Sequence, residues 1–311
     1  MSAGPQPSSI TYGGQALIEG VMIRGQTCVS VAVRRPNGEI LVVTDPLGWK
    51  WAQKIRPIPL LRGFVVLAEM LTIGTRSLMF SAKISAEDEA ANDRDQQGEG
   101  QGSVLGSVAI GGTLVFSILM AVGLFFALPV VATHFVDQFL NSAVLSNIAE
   151  GVIRLAIFVA YIGGIGLLPD IRRVYAYHGA EHMAVHAREA GQPLTVESLR
   201  RYSTAHPRCG TAFILVVLVI AIGVHVLLGA PPLWERIASR IILLPIIAGV
   251  SYEIIRWSGF HASNPIVRAI IAPSLLLQAI TTKPPEDDQI EVAIHALEGA
   301  LEQDRIAAEP A

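Results

Sequence analysis

Apolar positions in this chain gather into long blocks rather than the short alternations of a water-soluble fold. Four blocks, at 105–132, 151–169, 211–230 and 237–255, each approach the ~20 residues that carry a helix across a hydrocarbon core. The fourth has the shortest apolar centre, with Arg240 near one end and Tyr252, Glu253 and Arg256 near the other. A further stretch, Pro265 to Ile280, is interrupted by Arg268 and Pro273 and reads as a re-entrant or interfacial segment. Residues 58–82 are helical and apolar but carry Arg62, Glu69 and Arg76, which lipid contact tolerates poorly. That pattern predicts an interfacial or bundle-buried helix.

The segments between the blocks are of other kinds. Residues 1–57 hold a Gly-rich stretch at 12–25 and then β-branched runs around Asn37-Gly38, a dipeptide suited to the positive φ of a type I′ turn. A β-hairpin follows from that. Residues 83–103 are acidic and rich in Gly and Gln, with too little apolar surface to offset the entropy of ordering. They read as a flexible linker. In 283–311, Glu286, Asp287 and Asp288 stand at a helix start and Ile290, Ala293, Ile294, Leu297 and Leu301 form one stripe. This is a soluble amphipathic tail helix whose apolar side seeks an unknown protein partner. The expected architecture is mainly α: a polytopic membrane bundle of about four spans, two in 104–169 and two in 211–282, with the N-terminal hairpin and the C-terminal helix outside it.

Composition agrees and excludes several classes. At 51% hydrophobic and 16% charged, with mean hydropathy +0.49, neither a disordered chain nor an ordinary soluble enzyme fits. A net charge of -3 offers no basic surplus for nucleic acid. Cys28 and Cys209 cannot form a disulfide framework, and the first residues read as lacking a cleaved signal peptide. The stretch 170–210 carries Arg172, Arg173, Arg188, Arg200, Arg201 and Arg208, whereas 133–151 has no Lys or Arg. Positive charge is retained on the cytoplasmic side. With four crossings of a cytoplasmic (inner) membrane, 170–210 and both termini are then expected in the cytoplasm, and the bilayer is the first partner.

The chemistry-bearing cluster lies in that segment, in Tyr177-His178-Gly179-Ala180-Glu181-His182-Met183-Ala184-Val185-His186-Ala187-Arg188-Glu189. In a helix starting at Pro169 and Asp170, about 100° per residue puts His182 about 40° and Glu189 about 20° from His178, with His186 about 80° away and Glu181 about 60° to the other side. His178 and His182 can share one ion. His186, two turns on, needs a second ion or a bend. His206 and Cys209 follow three residues apart, and imidazole and thiolate are the donors zinc accepts. Three ligands with an open position, His178, His182 and either His206 or Cys209, would make a catalytic zinc-type site. The order His178-x-x-Glu181-His182 also matches the inverted zincin spelling, with Glu181 as general base. Secondary candidates are His186, Glu189, Glu19, Arg24 and Glu253. Glu19 and Arg24 either pair within a tight turn or stand where Gly13, Gly14, Gly20 and Gly25 let the backbone approach a ligand or the helix closely, and Glu253 either pairs with Arg256 or reaches the metal.

The motifs GGQALIEGVMIRG (13–25), RRPNGEI (34–40), YHGAEHMAVHA (177–187), LTVESL (194–199), HPRCGTAF (206–213), SYEIIRW (251–257) and LLLQAITTKPPEDDQIEVAIHAL (275–297) run in one order over nearly the whole chain. In them the chain resembles the YqhQ-like family of bacterial membrane proteins, a domain of unknown function described as predicted metal-dependent enzymes. The resemblance implies the membrane location and the fold, and names no substrate. Where relatives often carry Lys after the His-Gly-Ala-Glu-His element, this chain has Met183, which leaves the ligands intact. Two functions stand side by side: a metal-dependent hydrolase at the cytoplasmic face, and a non-enzymatic assembly factor or transport component with a structural ion.

Overall fold

The computed structural model describes residues 12–48, 52–55, 57–94, 112, 115–117, 119–140, 142–207, 209–229, 232–261 and 264–309. Four strands come first: β1 (Gly13–Leu17), β2 (Gly20–Arg24), β3 (Cys28–Arg34) and β4 (Ile40–Pro46). They form one antiparallel meander in the order β1-β2-β3-β4. The expected hairpin at Asn37-Gly38 is its β3–β4 half, with Arg34 opposite Ile40. The Gly-rich stretch before it is the other half, with Gly13 opposite Arg24 and Leu17 opposite Gly20.

The longer helices are α1 (Leu61–Arg94), α2 (Leu128–Asp137), α3 (Ala143–Ile165), α4 (Pro169–Glu189), α5 (Gly210–Leu228), α6 (Leu233–Ile242), α7 (Leu244–Phe260), α8 (Pro265–Thr281) and α9 (Asp287–Ala308). The linker expected at 83–103 is therefore corrected over 83–94, where α1 simply continues; the rest of it lies outside the described residues. The apolar side chains of α1, ending at Ile84 on the sheet, carry the helix past the acidic composition that read as disorder.

The strands sort their residues by the period of two that a pleated sheet imposes. On β3, Val29, Val31 and Val33 join Leu17 and Met22 against Met70, Ile73, Phe80 and Ile84 of α1. Cys28 and Ala32 point the other way, into a core with Val21, Ile23, Tyr177, Met183, Ile290, Ala293 and Leu297. The sheet is thus the middle of three layers, with α1 on one side and α4 and α9 on the other. The stripe on α9 finds its cover inside the chain, which corrects the expectation of a face left for a partner. Gly299 makes the contact close, since a Cβ there would stand 2.5 Å from Ser30 Oγ.

The remaining helices form a bundle in which α5 touches α3, α7 and α8, and α7 also meets the start of α1. Five helical stretches are long and apolar enough to cross a membrane: Leu61–Ala86, Val115–Asp137, Ala143–Ile165, Gly210–Leu228 and Ala238–Gly259. Four match the expected blocks, and the fifth is the α1 segment. Large apolar side chains such as Leu119, Phe135, Val219, Leu227 and Ile246 point outward from the bundle. Arg240, the doubtful charge of the fourth block, is matched inside it. Its guanidinium lies 2.6 Å from Glu150 of α3, which Arg154 holds from the other side at 2.7 Å.

Candidate functional site

Helix α4 starts at Pro169, whose missing N–H costs nothing in a first turn, with Asp170 beside the positive end. It then passes between the sheet layer and the bundle. Its histidine face meets the loop 203–209, which leads into α5. That loop is fixed by Gln278 of α8, a fully buried amide that accepts from the His206 N–H at 2.7 Å and donates to the His206 carbonyl at 3.0 Å.

The loop and the end of α8 orient the imidazoles through backbone carbonyls. His178 Nδ1 lies 2.9 Å from the Thr281 carbonyl, and His182 Nδ1 lies 2.6 Å from the Thr204 carbonyl. A carbonyl can only accept, so in each ring Nδ1 carries the proton and Nε2 presents its lone pair to the site. His178 Nε2 is 3.3 Å from Cys209 Sγ. His186 is turned the other way: its Nε2 donates to the Ala205 carbonyl at 2.9 Å, leaving Nδ1 bare.

Two three-donor sets result, each with its ligand atoms within 4.8 Å of one another: His178, His182 and Cys209, and beside them His186, Glu189 and His206. The spacing and the bare nitrogens suit a transition metal, and the mixed imidazole and thiolate set suits zinc. Of the two third ligands left open by the sequence, Cys209 completes the first set. His206 belongs to the second, 3.4 Å from Glu189. The need for a second set at His186 follows from its two-turn offset along α4. Glu181 is buried, with a carboxylate oxygen 3.5 Å from His182 Nε2. Burial holds the His206 and His186 imidazoles below their ordinary pKa, the latter despite its bond to Ala205. Both rings are therefore neutral, as ligands must be.

Gly179 permits this geometry. A Cβ there would sit 2.3 Å from the Lys283 carbonyl oxygen. The segment after α8 runs that close to α4, with the Lys283 N–H donating to the Tyr175 carbonyl, and so delivers the Thr281 carbonyl to His178.

The secondary candidates are placed differently from the expectation. Glu19 and Arg24 do not pair with each other, because β2 separates them by five extended residues, roughly 16 Å. Glu19 sits in the β1–β2 turn at φ 50°, accepts from Arg173 at 2.7 Å and from the Tyr177 hydroxyl at 3.1 Å, and so anchors α4 to the sheet. Burial first, and then the Glu19 charge, pushes the Tyr177 phenol upward. Arg24 pairs with Glu69 of α1 at 2.9 Å. Glu253 takes its hydrogen bonds from the Arg62 guanidinium and the Leu60 N–H, and among the described residues it belongs to neither donor set. Gln278 was missed; a lone amide in an apolar helix was the signal.

The fold and site define a class: a mainly helical chain, with helices of membrane-spanning length and a small antiparallel sheet, that carries a His/Cys/Glu cluster. The chain belongs to the family described as "Protein of unknown function (DUF1385)", whose model matches residues 58–303. It is 32% identical over 295 residues to the "Uncharacterized protein YqhQ" of Bacillus subtilis (strain 168), covering 93% of this chain and 92% of that one. No solved structure matches it.

Proposed function

We propose that this is a multi-pass inner-membrane protein with a metal-dependent hydrolase site at its cytoplasmic face, built on His178, His182 and Cys209, with Glu181 as general base. The observation that carries the reading is the pair of Nδ1-anchored imidazoles whose bare Nε2 atoms converge with the Cys209 thiol. Zinc held there would supply a Lewis acid and a water acidified toward about pH 7. Glu181, beside His182 Nε2, is within reach to take that water's proton. Among the described residues the first set has three donors rather than a closed four-ligand shell, which supports catalysis over the structural-ion reading.

The layering supports the membrane arrangement. The sheet, α4 and α9 share one core, so the chain must return to the same side between β4 and α4 and again between α4 and α9. Each interval then holds an even number of crossings. In the first, α1 covers the sheet and binds Arg24 through Glu69, which leaves Val115–Asp137 and α3 to cross. In the second, α5 and Ala238–Gly259 cross; α8, a helix of 17 residues, stays on the sheet side with its end holding His178 and His206.

The test is elemental analysis of the detergent-purified chain together with Glu181→Gln. The expected result is zinc bound in the unaltered protein, one equivalent of it lost from a His178→Ala/His182→Ala double variant and all of it kept by Glu181→Gln, with loss of complementation of a deletion strain by the last. A general base is worth about 10²- to 10⁴-fold in rate. Full complementation by metal-replete Glu181→Gln overturns the mechanism; a 10- to 100-fold fall in metal affinity assigns Glu181 to orienting a ligand instead.

A further inference from the structure

Beside Cys209 lies a cavity of about 530 Å³, within the range of small-molecule sites. Its walls are of two kinds. Arg24 from β2, Arg62 from α1 and Arg256 from α7 converge on it, and among the described residues no Asp or Glu lines it. Leu67, Met70, Phe213 and Ile255 make the rest apolar. The carboxylates that balance the arginines stand behind them: Glu69 behind Arg24 and Glu253 behind Arg62. Arg24 is not used up by its pair, since its Nε is buried with no hydrogen-bond partner. The first turn of α5, starting at Gly210 on the cavity wall, adds the positive end of a 19-residue helix.

The position within the fold narrows the ligand. The cavity is formed by the first turns of α1, the first turn of α5 and the last turns of α7, where these apolar helices meet β1 and β2. In a membrane that is the headgroup level. A ligand that satisfies it has an anionic head for planar, fork-shaped donors and a hydrocarbon part for the helix walls.

We propose that this cavity binds a phosphate-bearing amphiphile, with its phosphate among Arg24, Arg62 and Arg256 and its chain along α1 and α7. Cys209 belongs both to the cavity wall and to the first donor set. The cavity thereby gives the proposed hydrolase its substrate class, a phospholipid or lipid phosphate; that consequence rests on the hydrolase reading, whereas binding requires no metal.

The experiment measures binding of three probes to the full chain in detergent: dioctanoyl phosphatidic acid, dioctanoylglycerol and inorganic phosphate. Two variants accompany it. Arg256→Gln removes an exposed guanidinium, and Gly13→Leu fills the cavity from a position whose added Cβ meets nothing within 4 Å. Expected are phosphatidic acid binding at least tenfold tighter than either other probe, and at least tenfold weakening in each variant at unchanged thermal stability. Equal affinity for dioctanoylglycerol reduces the site to an apolar crevice and overturns the proposal. Equal affinity for inorganic phosphate makes it a site for the free anion, which overturns the lipid source. Binding indifferent to both variants places the ligand elsewhere. The His178→Ala/His182→Ala protein is expected to bind the lipid as the unaltered one does, so a chain found without metal sinks the hydrolase and leaves the lipid site standing.

Discussion

Asp304 shows how much a single side chain can hold. It is buried at the end of α9 and accepts from the Gln26 N–H at 2.9 Å, from the Thr27 N–H and hydroxyl at 2.9 and 2.7 Å, and from the Tyr12 hydroxyl at 3.0 Å. Burial alone would raise its pKa, but these donors outweigh burial and hold it below the usual carboxylate value. The Cys28 thiol beside it is pushed up to about 11 by burial and by this same charge, so it is protonated and inert. Asp304→Asn should cost about 2–4 kcal/mol of stability at neutral pH. The sign in pH follows from the lowered value: the carboxylate's contribution is complete above about pH 4 and is lost as pH falls through its folded pKa. Thermal unfolding of both proteins from pH 7 to pH 3 checks this, and the gap should narrow towards the acid end. Nothing in the local sequence marked Asp304, because its donors lie some 280 residues away.

At the scale of elements, α4 was the most legible part of the chain. The i, i+4, i+8 histidines gave the face, and Pro169 with Asp170 gave the start, both from spacing alone. What spacing could not give was the loop that folds back onto it. Whether Cys209 or His206 joins His178 depends on Gln278 pinning the His206 backbone, a contact between elements 72 residues apart. Two sets predict two ions. Cys209→Ser should remove one equivalent and leave the other, and His206→Ala the reverse, by metal analysis of purified protein; a single equivalent lost entirely in both variants would mean one shared ion. Gly179→Ala should act without touching a ligand. It forces the Lys283 carbonyl away from α4, draws Thr281 from His178, and should weaken metal binding about 10- to 100-fold, as loss of a group that orients a ligand does. Metal titration of the variant reads this directly.

Over the whole molecule, the apolar blocks located the bundle helices, and the sheet's alternation was visible around Asn37-Gly38. The three-layer packing was not, because both faces of β3 are covered by helices distant in sequence, α1 and α9. One expectation of the membrane arrangement is direct: with Cys28 and Cys209 replaced, a thiol at the exposed Glu197 position should resist a membrane-impermeant reagent in whole cells and react after lysis. Labelling from outside would invert the orientation. The joining of the first strands to the last helix also governs how the protein is made. While a ribosome is still extending the chain, β1–β4 have emerged but α9 has not, so the part of the sheet that α9 covers, on β2, β3 and β4, stands bare through the synthesis of every apolar helix between them. The Thr281 carbonyl and the Lys283 segment that set His178 are likewise translated only after α1 to α7. A chain stopped before α9 thus carries an exposed apolar sheet face. Emergence of α9 is therefore the event that hides the surface quality-control proteases would read.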